Sequence, residues 1–251
     1  MRAELLYNPR LLVERVAELS LERRRSSRLR ETPGAQLRGV LLDSLELLEL
    51  VPSTPHVIYD IGANTGTWTL LAKSVHPCAH VFAFEPLGWH CREYLQASAT
   101  LQNVTLHQVA LGSVTGQLDM YVPNQSDSAS LLQMAPACED VFNLKFDKRV
   151  AVTVERLDDY VQKHNLPMPG LIKLDVQGYE CEVLRGGAKI LECAKAIITE
   201  VSFKEFYRGQ CRFDQLVSLL AEAGLFTYAF GLRTPLGKPL EQCDMLFLKS
   251  P

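Results

Sequence analysis

From Val57 onward, short apolar runs alternate with stretches whose apolar residues recur at helical spacing. Val57–Ile61, His80–Phe84, Val104–His107, Gly170–Leu174, Ala196–Val201, Phe226–Phe230 and Met245–Lys249 read as strands. Thr67–Val75, Gly88–Thr100, Asp158–His164, Glu180–Leu191 and Phe213–Ala223 read as the helices between them. Such alternation predicts an α/β fold, with a mostly parallel sheet and helices on both faces. Two further strand-like pieces, Gln117–Val122 and Ala151–Val154, flank a polar loop from Pro123 to about Lys148. A long irregular stretch inside a compact domain is usually functional or mobile.

Upstream the pattern is helical. Leu5, Leu12, Val16 and Leu19 recur near helical spacing, and a second apolar set runs from Val40 to Leu50 after the Pro33-Gly34 break. Pro52-Ser53-Thr54-Pro55 reads as a linker. The expected organisation is a helical extension over 1–52 and a main domain over 53–251. The extension reads as a cap on the main domain, with a dimerisation arm or a wall of the substrate pocket as the alternatives.

The densest stretch is Val57 to Pro86. The first strand ends around Asp60 and opens into Gly62-Ala63-Asn64-Thr65-Gly66, a helix follows, and the second strand ends in Glu85. Gly62 and Gly66 let the backbone turn sharply and approach a ligand. The helix that follows turns its free N–H groups toward whatever sits there. Glu85, about 20 residues past the loop, is placed to accept hydrogen bonds from both hydroxyls of a ribose. Asn64 stands where a dinucleotide loop has its second glycine, and the Asp60 carboxylate would repel phosphate. A cationic adenosine ligand without phosphate fits better, and S-adenosylmethionine, with its sulfonium and ammonium, is one.

Composition narrows the field. The chain has 251 residues, 47% hydrophobic and 22% charged, with a net charge of −3. This mild acidic balance argues against nucleic acid as a partner. The run Arg23-Arg24-Arg25 with Arg28 and Arg30 reads as a solvated helix face or a contact for phosphate or an acidic carrier. No apolar run is long enough to span a bilayer and the N-terminus has no secretory core, so a cytoplasmic setting is expected. Seven scattered cysteines without a C-x-x-C pair predict reduced thiols rather than a zinc site or a disulfide framework.

A second motif, Leu171-Ile172-Lys173-Leu174-Asp175-Val176-Gln177-Gly178-Tyr179-Glu180, is a strand ending at an acid, a glycine turn and a helix start. Lys173 and Asp175 are two apart and share one face of the strand. A further strand brings Glu200 to the same sheet edge, where open α/β folds bind ligands.

These pieces together resemble the FkbM family of S-adenosylmethionine-dependent O-methyltransferases. The resemblance rests on Asp60 to Gly66, Phe84-Glu85-Pro86, Val109-Ala110-Leu111-Gly112, Ser128 to Leu132, Ile172 to Glu180 and Cys243-Asp244-Met245-Leu246-Phe247, covering about residues 57 to 249. Gln177 departs from the family, which usually has Glu there. The resemblance implies a Rossmann-like class I methyltransferase fold whose seven-stranded sheet has its last strand antiparallel. It also implies methylation of hydroxyls on sugars or natural-product scaffolds, free or carrier-bound. In this pattern Asp60, Gly62, Asn64 and Gly66 hold the methionine part of the cofactor, Glu85 the ribose, and Ala110 lies near adenine.

An alcohol has a high pKa, so its methylation needs a proton acceptor or a metal. Asp175 is the expected base, with Lys173 and Glu200 beside it and Glu180 a further carboxylate. Asp175 could instead pair with Lys173 or hold the cofactor's ammonium. Asp175 and Glu200 at neighbouring strand ends also suggest a magnesium variant, as in catechol-type O-methyltransferases. Methylation of an amine or a protein side chain, and a non-catalytic scaffold on the same fold, are the alternative functions. His90, Trp68, Trp89, Ser128 and Ser130 are near the expected pocket but have ordinary structural readings.

Overall fold

The structure, a computed structural model, describes residues 19–20, 23–38, 44–231 and 240–250. The expected helix around Leu5, Leu12 and Val16, and the start of the second apolar set at Val40, lie outside the described residues. Residues 23–28 are helical, and a short helix α1 (Leu45–Glu49) follows, then β1 (Val57–Ile61), α2 (Thr67–Val75), β2 (His80–Phe84), α3 (Gly88–Ala97) and β3 (Val104–His107). An excursion follows: β4 (Ala110–Gly112), β5 (Gly116–Pro123), α4 (Pro136–Phe142) and β6 (Phe146–Arg156). The chain continues through α5 (Leu157–Lys163), β7 (Leu171–Leu174), α6 (Glu180–Gly186), α7 (Ala188–Cys193), β8 (Ala196–Ser202), α8 (Phe213–Glu222), β9 (Leu225–Phe230) and β10 (Gln242–Lys249).

The seven expected strands form one sheet in the order β3–β2–β1–β7–β8–β10–β9. Its pairings are parallel from β3 through β8, and β10 runs antiparallel to both neighbours. The order reverses between β1 and β7, so their carboxyl ends border the crevice where such sheets take ligands. One apolar core lies on each face. Tyr59, Phe84, Ile172, Leu174, Ile197 and Phe247 build the first, and Ile58, Leu71, Val81, Leu171, Ile198 and Leu246 the second.

The described part of the N-terminal segment packs on the second face. Leu29, Leu37, Leu45, Leu47 and Leu48 join that core, and the Gly34 N–H donates to Ser74 Oγ on α2 at 2.8 Å. Part of the arginine run is structural. Arg25, 5% exposed, pairs with Glu46 at 2.8 Å, and Arg28 pairs with Glu49.

The expected polar loop contains more order than its pattern suggested. β6 extends over Phe146–Arg156, pairs with β4 and β5 in a second, three-stranded sheet, and leaves room for α4. The outer half of β6, Phe146-Asp147-Lys148-Arg149, is exposed, so it carries no apolar alternation to read. The expected helix Glu180–Leu191 is broken into α6 and α7. A Cβ on Gly186 would lie 1.8 Å from the Gly112 carbonyl oxygen, so the helix meets β4 through bare backbone there. The expectation of reduced thiols is also corrected: Cys181 on α6 is bonded to Cys211 ahead of α8. Both are buried, and spacing alone does not reveal a pair brought together across a 30-residue separation. No helix among the described residues is long and apolar enough to cross a membrane.

Gly62 sits in left-handed backbone (φ 85°), and a Cβ there would meet the Asp175 carbonyl oxygen at 1.9 Å. Gly209 is also left-handed (φ 71°) but has nothing within 4 Å. Gly209→Ala is expected to cost only the backbone term of about 1–2 kcal/mol. Gly62→Ala should cost clearly more, because the β1 and β7 loops must also separate. Denaturant unfolding of the two variants checks this, and equal losses would contradict it.

Candidate active site

The glycine loop is shaped first by packing. Gly62 admits the β7 loop, and Gly66 (φ 87°), the N-cap of α2, faces the Tyr94 ring, which a Cβ would meet at 2.9 Å. Asn64 holds the left-handed turn between them at φ 49°. Asp60, 1% exposed, accepts from Thr69 Oγ1 at 2.5 Å, and Thr69 in turn lies 3.0 Å from the Tyr94 hydroxyl. Burial raises the Asp60 carboxyl to about 7, with Thr69 and Lys173 opposing the rise and Asp175 and Glu85 adding to it.

Glu85 follows β2 directly and is 5% exposed. Oε2 accepts from the Asn64 N–H at 3.0 Å and Oε1 from the Leu87 N–H at 2.8 Å. Oε2 keeps a lone pair for a further donor such as a ribose hydroxyl. Beside it lies an apolar slot lined by Phe84, Leu87, Ala110, Leu111 and Met120, with β4 and β5 as its outer wall. A flat base fits against such surfaces. The residues therefore suit an adenosyl ligand, as the resemblance implied.

The side-chain alternation of a strand explains the rest of the site. Ile58, Leu171, Ile198 and Leu246 belong to the apolar core on one face. Two positions further along β1, β7 and β8, and two back along antiparallel β10, the same face carries Asp60, Lys173, Glu200 and Asp244. Apolar packing thus gives way to a charged row at the sheet's carboxyl edge. Lys173 is 3% exposed, with Nζ 3.0 Å from Asp244 Oδ1 and 3.7 Å from Asp175 Oδ2. Burial pushes its ammonium down, but Asp244, Asp175 and Glu200 outweigh that and hold it above its ordinary value. Burial, reinforced by Asp175 and Asp244, raises Glu200 well above the usual carboxylate range. Gln242 Nε2 donates to Glu200 Oε2 at 3.0 Å.

Asp175 borders both the adenosyl slot and a larger cleft of about 1000 Å³ that also reaches Lys173, Glu200, Tyr207 and Asp244. Gln177 Nε2 donates to Asp175 Oδ1 at 2.9 Å. The Gln177 Oε1 accepts from the Tyr207 hydroxyl at 2.9 Å, and its carbonyl accepts from Ser130 Oγ at 2.7 Å. Gln177 is left-handed (φ 55°), so three segments converge on one strained residue. Glu180 plays a turn-holding part: Oε1 accepts from the Val176 and Gly178 N–H groups, both at 3.1 Å. Trp68 borders the cleft, and Trp89 lies under the Lys148 ammonium at 4.8 Å.

All residues expected at the site therefore converge on one edge: Asp60, Gly62, Asn64, Asp175, Lys173 and Glu200 on the cleft, Glu85 and Ala110 on the slot. Gly66 acts from behind, through Tyr94. Two partners were not assigned roles from sequence. Asp244 pairs with Lys173 and accepts from Ser44 Oγ of the N-terminal segment, and Tyr207 orients Gln177. Asp244 lay just outside the expected last strand, Met245–Lys249, whereas β10 begins at Gln242. The magnesium alternative does not fit the donor set. A lysine ammonium already occupies the charged row, and among the described residues no group of three or more His, Cys, Asp or Glu side chains is arranged to hold a metal ion.

The model of the methyltransferase FkbM domain matches residues 60–225. The chain belongs to the FkbM methyltransferase family. This FkbM chain is 30% identical over 185 residues to the 2-O-methyltransferase NoeI of Sinorhizobium fredii, covering 70% of this chain and 75% of that one. It is 25% identical over 221 residues to the hexuronic acid methyltransferase AglP of Haloferax volcanii, covering 88% and 79%. Among solved structures, a chain of a fibrillarin/Nop5p complex superposes with a TM-score of 0.50 at 11% identity, over 85% of this chain and 84% of that one, a likeness of fold. The FkbM chain is an S-adenosylmethionine-dependent methyltransferase.

The raised Asp60 gives a signed prediction. In the unfolded chain this group ionises near its ordinary 3.8, whereas the folded protein keeps the proton to about 7. Between these values the folded state binds more protons, so stability falls as pH rises, by up to about 1.4 kcal/mol per pH unit. Asp60→Asn removes this slope. Its unfolding free energy relative to wild type should therefore climb from pH 4 to 7, and a constant difference would contradict the assignment.

Proposed function

We propose that the enzyme transfers the methyl group of S-adenosylmethionine to a hydroxyl of a sugar, a glycan or a related natural-product scaffold. The observation that carries this reading is the position of Asp175. Its carboxylate stands where the adenosyl slot opens into the larger cleft, steadied by Gln177 on one oxygen and Lys173 on the other. The named activities of NoeI and AglP, on a 2-O position and on a hexuronic acid, support a hydroxyl and a sugar.

When bound, S-adenosylmethionine would supply an electrophilic methyl, which the acceptor oxygen would take in line as the carbon–sulfur bond breaks and S-adenosylhomocysteine leaves. Glu85 takes the ribose hydroxyls, Ala110 and its apolar neighbours take adenine, and the loop from Asp60 to Gly66 takes the methionine end. Asp175 accepts the proton that the attacking hydroxyl releases. Glu200 is the poorer candidate for that step, because burial and the neighbouring acids disfavour its charged form. It is placed instead to hydrogen-bond other hydroxyls of the acceptor. Lys173 keeps the carboxylates of the row from repelling one another. Only the methylated ring must enter the cleft, so the reading covers free and carrier-bound acceptors.

The test is transfer of labelled methyl into a panel of neutral and acidic glycosides, with matched amino compounds. Asp175→Asn should lower kcat for hydroxyl acceptors about 10²–10⁴-fold while S-adenosylmethionine affinity stays within about threefold. Glu200→Gln should raise KM more than it lowers kcat. Full turnover of a hydroxyl acceptor by Asp175→Asn would remove Asp175 as the base. Transfer confined to amines would replace the hydroxyl reading with an N-methyltransferase.

A further inference from the structure

His90 is a buried imidazole that the methyl-transfer scheme leaves without a part. It lies on α3, is 4% exposed, and borders both the adenosyl slot and the larger cleft. Its Nδ1 is 3.4 Å from Glu85 Oε1, and its Nε2 is 2.9 Å from Ser126 Oγ. A carboxylate only accepts, so a proton on Nδ1 faces Glu85 favourably, while the Ser126 hydroxyl serves Nε2 as donor or acceptor.

Both partners matter to the slot. Backbone N–H groups of Asn64 and Leu87 donate to the Glu85 carboxylate, and the His90 ring stands against Oε1 at 3.4 Å. Ser126 begins a one-turn 3-10 helix, Ser126–Ser128, and together with Asp127 and Ala129 forms part of the slot's rim. The far end of that segment is tied elsewhere. Ser130 Oγ donates to the Gln177 carbonyl, and the Ser130 N–H and carbonyl pair with Tyr121. Ser126 is therefore the end of the rim that depends on His90.

We propose that His90 is a positioning residue for the cofactor, tying the ribose-binding carboxylate to the 126–128 rim so that one imidazole sets both. The inference rests on the reading of Glu85 as the ribose ligand. It predicts that His90 and Glu85 act as a unit in cofactor binding, and that each ring nitrogen contributes separately. An asparagine at 90 reproduces the Nδ1 donor, and a glutamine reproduces the Nε2 position.

The test is calorimetric titration of the full chain with S-adenosylmethionine, with thermal unfolding of each variant alongside. His90→Leu should weaken binding about tenfold or more, the scale of a lost hydrogen bond to a charged group. His90→Leu combined with Glu85→Ala should bind about as weakly as Glu85→Ala alone. His90→Asn and His90→Gln should each recover part of the loss, and Ser126→Ala should behave like His90→Asn. The inference is overturned if His90→Leu binds within about twofold of wild type, if the losses add in the double variant, or if neither polar replacement recovers binding. If Glu85→Ala itself keeps full affinity, the ribose assignment falls and the inference falls with it. A loss in Glu85→Ala without one in His90→Leu spares the ribose assignment and removes only the role of His90.

Discussion

A lysine ammonium buried near the middle of the sheet is the constraint to which the rest of the site answers. Lys173 points from a central strand into a face that is apolar one step earlier. An unpaired charge there would cost several kcal/mol, so its carboxylate partners are obligatory. They come from separate parts of the chain: Asp175 from the same strand end, Asp244 from β10. Glu200 lies between them on β8, opposite Asp244 in register. The antiparallel β10 is what brings Asp244 into reach. Because Ser44 donates to Asp244, the N-terminal segment is part of the same arrangement.

A second constraint is steric and sets the crevice itself. Gly62 lets the β1 loop touch the Asp175 carbonyl, and Gly178 (φ 93°) lets the next turn meet Gln210 and Tyr207. The Cys181–Cys211 bond joins those two segments just behind the turn. The Asp175–Gln177 stretch is thereby held from three sides, by β1, by the Tyr207 segment and by Ser130. The base proposed here must meet a hydroxyl within a fraction of an ångström, and such a support fits that demand. The slot beside it is built from an acid on two backbone N–H groups with the His90 ring against it, an apolar lining and a rim segment.

Much of this was legible in the sequence because the strands are almost uniformly apolar, so polar residues inside them stand out. Asp60, Lys173 and Asp175 were found that way, and the sheet followed from the alternation of runs. Asp244 gave no such signal, because the apolar run of the last strand begins at Met245 and polar residues precede it. Other features left no local trace. The extent of β6 was hidden because its outer half faces solvent, the break at Gly186 because it depends on the backbone of Gly112, and the disulfide because its cysteines meet only after β7 and α8 have packed. The glycines of the first loop stand out in the sequence, and the structure gives them a packing reason: they admit a neighbouring loop and a tyrosine ring.

The central claim is that Lys173, and not a metal ion, is the cation of the charged row. It is tested most directly by Mn²⁺ binding, followed by electron paramagnetic resonance with S-adenosylhomocysteine present. The account predicts no stoichiometric Mn²⁺ site at micromolar concentrations. A tight site that disappears in Asp175→Asn or Glu200→Gln would contradict it.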